Sequence, residues 1–238
     1  MSTPAATDPW RGFVHRSRGS SDPARHDVGA WLVGDDELPG LDQTWADAPL
    51  HIRVDRGAGD VLPALTWASR SPARARWLGL GLRDDVETDA NVRRVVAALD
   101  FARAEGVAPD DPDELALVLS LPFYAGAGGA SLPAALLRGL DEIAAAEAVL
   151  AVPCDREAGF VAALVDAALD REVAMLADRC PGPASADGRI GWEPLLAGVR
   201  ASLDGGDVTA ALGDSALDLG PDAVTRTRRW LRGAVLTP

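Results

Sequence analysis

In the stretch LHIRVD (50–55), His51, Arg53 and Asp55 occupy every second position. If this stretch is a strand, its period of two puts all three side chains on one face, opposite Leu50, Ile52 and Val54. An imidazole titrates near neutrality and a guanidinium clamps carboxylate or phosphate, so the set is chemically usable. His51 or Asp55 would act as general base and Arg53 as an anion clamp. Buried without partners, such groups would cost on the order of several kcal/mol, so they must pair with one another, with water or with a ligand. A satisfied polar layer inside the fold is the competing account of the same pattern.

The ends of the other apolar runs repeat the theme. Arg83-Asp84-Asp85, Cys154-Asp155-Arg156, Asp178-Arg179 and Gly213-Asp214 each follow a candidate strand, as Asp55-Arg56 does. In a parallel α/β fold these exits share one rim, where Arg83, Arg156 and Arg179 would bind an anion. Helix caps and rim ion pairs would use the same residues. The loop AGAGGAS (125–131) also leaves a strand and leads into a helix. There the backbone N–H groups of Gly126, Gly128 and Gly129 would cradle an anion, with Ser131 as the helix cap. Its spacing matches neither phosphate-loop pattern, since Ser131 stands where the third glycine of G-x-G-x-x-G would fall. A tight turn needs the same glycines. Gly57-Ala58-Gly59 is a smaller version after 50–55.

Several chemistries drop out. All 23 basic residues are arginine, which removes Schiff-base lysines and the phosphate-loop lysine. Cys154 and Cys180 stand far apart, no His-x-His or HExxH occurs, and GDSAL (213–217) lacks the last glycine of a serine-hydrolase elbow. There is no nicotinamide, flavin or zinc signature. Asp55, Asp84 and Asp155 would offer carboxylates to Mg²⁺ without a diagnostic spacing. The cofactor is therefore unknown.

A net charge of −13 repels polyanions and argues against nucleic acid as a partner. No apolar run approaches the ~20 residues of a membrane span, and MSTPAATDPW lacks a leader pattern. These features predict a cytoplasmic protein with reduced thiols and no membrane partner. A small-molecule anion is the expected ligand, and composition leaves homo-oligomerisation open.

The elements that would position these residues alternate. Strands are predicted at 28–33, 50–55, 76–82, 115–121, 148–153 and 172–177, with a weaker one at 207–212. Helices should cover about 60–70, 89–105, 131–146, 157–170, 192–204 and 221–232. In the second of these, Val92, Val95, Val96, Leu99 and Ala102 recur at helical spacing, Thr88 or Asp89 suits the start, and Gly106 suits the end. Residues 1–27 read as a polar N-terminal arm with at most a short strand at 12–16, and 28–238 as one α/β domain.

Strands alternating with helices fit a doubly wound parallel sheet or a closed barrel. Three strands repeat one asymmetry, bulky aliphatic residues on one face and small or polar ones on the other. Leu78, Leu80 and Leu82 oppose Trp77, Gly79, Gly81 and Arg83; Leu115, Leu117, Leu119 and Leu121 oppose Ala116, Val118 and Ser120. That favours a TIM-barrel-like (βα) barrel of seven or eight strands with leucines beneath the helices. The connection 34–49 is a poor helix, so irregularity is expected near the N-terminus. The functional expectation is an enzyme acting on a small phosphorylated or carboxylated metabolite at the strand ends. The alternative is a non-catalytic ligand-binding or oligomeric protein on a degenerate barrel.

Overall fold

Leu50, Ile52, Val54, Leu78, Leu80, Leu82, Leu117, Leu119 and Leu121 are all buried in one hydrophobic core, together with helix residues such as Val92, Val95 and Leu99. A second, separate cluster holds Val118, Val149, Ala151, Leu176 and Val235, with Leu32 and Trp77 packed against it. The two clusters lie on opposite faces of the strands, as Leu117 and Leu119 in the first and Val118 in the second show. The computed structural model describes residues 12–17, 28–71, 73–83, 87–122, 131–213 and 221–236.

Within these residues eight parallel strands form a closed barrel in chain order. They are β1 (Val14–Ser17), β2 (Val28–Gly34), β3 (Pro49–Val54), β4 (Arg74–Gly81), β5 (Ala116–Ser120), β6 (Val149–Pro153), β7 (Met175–Cys180) and β8 (Leu231–Leu236). β1 pairs with both β2 and β8, which closes the ring. The helices are α1 (Val61–Arg70), α2 (Thr88–Ala104), α3 (Ala134–Ala145), α4 (Ala158–Leu169), α5 (Trp192–Leu203), α6 (Val208–Gly213) and α7 (Pro221–Arg228). The fold is TIM-barrel-like, and the doubly wound alternative is excluded by closure. As its composition implies, the β2–β3 connection has no α-helix. It makes two 3-10 turns, Leu38–Gly40 and Gln43–Trp45, and buries Trp45 edge-on against Trp31.

Four local expectations are corrected. Residues 207–212 form no strand. Asp207 accepts a hydrogen bond from the Ala210 N–H, a capping contact that starts α6, so Gly213 is not a strand exit. The closing strand lies instead at Leu231–Leu236, and α7 ends at Arg228 rather than 232. β7 starts at Met175, three residues later than predicted, because Glu172 takes a left-handed conformation and Val173 N–H bonds back to Ala168. Neither Ser131 nor Thr88 caps a helix. Pro133 precedes α3, and Thr88 is already helical and buried, its methyl facing Gly139. Gly106 ends α2 in the left-handed conformation, as expected. No helix among the described residues is long and apolar enough to cross a membrane.

Candidate functional site

Because side chains alternate along each strand, the inward positions stack into layers up the barrel axis. The deepest layer is aromatic. His15 from β1, His51 from β3 and Trp77 from β4 meet at ring-centroid distances of 5.0 to 6.2 Å. His15 Nδ1 and His51 Nδ1 lie 3.0 Å apart in a buried hydrogen bond. Burial, and secondarily Arg53, lowers the His51 pKa to about 3. Burial, and then His51, also holds His15 well below the ordinary imidazole range. Both rings are therefore neutral at neutral pH.

The histidines fit only because their neighbours are glycine. A Cβ on Gly79 would stand 2.5 Å from His51 Nε2, and one on Gly233 would stand 3.1 Å from His15 Nε2. Glycine here supplies close approach rather than backbone freedom.

Above this floor Leu32, Val118, Ala151, Leu176 and Val235 line a cavity of about 240 Å³ that opens at the C-terminal ends of the strands. Its polar lining is Arg53, Asp55, Ser120, Asp178 and Arg179. Arg53 is bound to Asp55 at 2.9 and 3.4 Å, and Arg179 to Asp155 at 2.7 Å and Asp178 at 3.4 Å. Burial lifts the Asp178 carboxyl above the usual aspartate range, with Arg179 and Arg53 pulling the other way.

The sequence matches no family model. No curated protein is similar enough to it to count as a relative.

Arg179 sits at an irregularity. It has φ +55, and the β7–β8 register shifts between Ala177 and Cys180. A left-handed non-glycine residue costs about 1–3 kcal/mol, and such strain concentrates at functional sites. A bulge also re-aims a side chain, and here the guanidinium reaches both rim aspartates. Cys154 and Cys180 cap the neighbouring strands β6 and β7; both are buried and free, and neither lines the cavity.

Of the residues singled out in the sequence, His51, Arg53, Asp55 and Arg179 converge on this cavity. Arg83 and Arg156 are not among its described lining residues: Arg83 lies on the loop after β4, and Arg156 on the loop before α4. Gly126, Gly128 and Gly129, with Asp84 and Tyr124, lie outside the described residues. Among the described residues no group of three His, Cys, Asp or Glu side chains is arranged to hold a metal ion. Sequence reasoning placed Asp178 at the rim and Trp77 on the inward face of β4, but it missed His15 and the contact of both histidines with Trp77. For His15 the missing signal was inward parity on β1. Asp178, expected just beyond its strand, lies inside β7 because that strand starts late.

Proposed function

We propose that this protein is a barrel enzyme that holds a small anion between Arg53 and Arg179 and moves a proton with Asp178. The single observation that carries the reading is the half-buried Asp178 carboxyl at the edge of the strand-end cavity, flanked by two guanidiniums. Lifting a carboxyl toward neutrality makes it both a better base and an available acid. The arginines suit a carboxylate or phosphate, whose oxygens replace those of Asp55 and Asp155. Volume limits the ligand. About 240 Å³ lies below the roughly 300–1,000 Å³ of drug-sized pockets, which points to a metabolite of a few carbons. His51, neutral down to about pH 3, is a poor proton acceptor.

The test is thermal denaturation with phosphate monoesters and short carboxylates. At 100 times its dissociation constant a ligand stabilises by about 2.7 kcal/mol, or roughly 5–10 °C for a chain of this size. The shift should vanish in Arg179→Ala and shrink in Arg53→Ala. Anion affinity should also rise as pH falls through the raised Asp178 pKa, because protonation removes a competing negative charge. Asp178→Asn should bind the anion without that pH dependence. Silence from every anion, or a shift that survives Arg179→Ala, would defeat the reading and favour a non-catalytic barrel.

A further inference from the structure

A single Nδ1–Nδ1 hydrogen bond between neutral imidazoles requires two different tautomers. One ring donates from Nδ1; the other accepts there and carries its proton on Nε2. The surroundings of the far nitrogens decide which is which. His15 Nε2 is buried and has no hydrogen-bond partner among the described residues. Were His51 the donor, that atom would carry an orphaned N–H, a rarity in protein interiors. With His15 donating, the atom carries only a lone pair, the less uncommon defect. The proton of His51 then sits on Nε2. This nitrogen faces Gly79 at the cavity floor, and no hydrogen bond among the described residues uses it.

We infer that His51 is held as the Nε2–H tautomer and offers this N–H to the cavity as a neutral hydrogen-bond donor for an uncharged ligand oxygen. His15 is the positioning residue, since its Nδ1–H selects that tautomer. A neutral imidazole used this way polarises a carbonyl or orders a hydroxyl without passing through a charged state.

The inference rests on the anion reading above and narrows it to a substrate class. His51 and Arg53 are two residues apart on one face of β3. The axial span of two residues on a tilted barrel strand is about 5–7 Å. The ligand is therefore a short-chain phosphate ester or carboxylate with a hydroxyl or carbonyl oxygen about that far from its anionic group.

Two measurements on the full chain test this separately. Long-range proton–nitrogen NMR of the ¹⁵N-labelled protein at pH 7 reads the tautomers directly, with His15→Gln and His51→Phe used for assignment. The expected result is a proton on Nδ1 of His15 and on Nε2 of His51. The reverse pair, or an imidazolium at either position, overturns the assignment whatever binds.

Calorimetry then compares glycerol 3-phosphate with n-propyl phosphate, and 4-hydroxybutyrate with butyrate. The hydroxylated member of the phosphate or the carboxylate pair should bind at least tenfold more tightly. His51→Phe, which keeps a planar ring but deletes the donor, should lose that preference while retaining the plain anion. Which pair responds distinguishes a phosphate ester from a carboxylate. Equal affinity within both pairs overturns the donor role and leaves the anion site standing. If none of the four binds, the anion reading falls and takes the ligand half of this proposal with it, while the spectrum still judges the tautomers.

Discussion

Gly79 tests the floor of the cavity at the cost of one methyl group. A Cβ there would stand 2.5 Å from His51 Nε2, too close for either atom to remain. Overpacking of this kind typically costs about 1–3 kcal/mol. Gly79→Ala should therefore lower the unfolding free energy by about that amount and abolish discrimination between hydroxylated and plain anions. An alanine variant as stable and as selective as the parent would show that the ring is not pressed against this position. The residue scale is also where the sequence was least readable. The shared face of His51 and Arg53 follows from period two within one strand, and so it was legible. The partnership of His15 with His51 joins strands 36 positions apart, and nothing local announces it. The raised carboxyl of Asp178 depends on burial by surroundings that come from other strands, against the pull of Arg179 and of the distant Arg53.

At the scale of elements, the barrel separates its two tasks by strand face. In β3 the residues Leu50, Ile52 and Val54 pack outward under the helices, while His51 and Arg53 face the interior and the cavity. Ile52→Ala removes apolar volume from the outer core alone. It should cost about 2–5 kcal/mol in chemical denaturation and leave anion affinity within twofold. A large change in affinity with little loss of stability would contradict this division. The same facing pattern made β3, β4 and β5 readable in advance, because bulky aliphatic and small or polar residues alternate cleanly in each. It failed where local chemistry prevails. Val208 and Thr209 suggest a strand, yet Asp207 caps them into α6. LRGAVL (231–236) is short and follows an arginine-rich helical stretch, so its strand character emerges only when β7 and β1 pair with it.

For the whole molecule, the buried histidines set the response to acid. An unfolded chain takes up a proton on each histidine near pH 6.5, whereas folded His51 refuses one until about 3. The unfolded state thus binds more protons throughout that window, and stability falls as pH drops below 6.5. Between pH 7 and 5 the His51 contribution alone is about 2 kcal/mol lost, and His15 acts in the same direction. Asp178 opposes this, since its raised pKa makes the folded state the stronger proton acceptor over its own interval. Urea denaturation at pH 7 and pH 5 should show the midpoint dropping in acid. Equal stability at the two values would mean that the histidines are not buried neutral.

Ring closure has a consequence for the order in which the site comes into being. β1 stands between β2 and β8, and its pairing places His15 beside Val235 on the last strand. Every rim residue, from Arg53 to Arg179, is synthesised before Leu231 emerges. A nascent chain halted at Arg228 would carry both guanidiniums and all three rim aspartates, yet it would lack the strand that seats His15. His15 would be held from the β2 side alone, and selectivity for the uncharged oxygen would arrive only when the six-residue β8 closes the ring against β1.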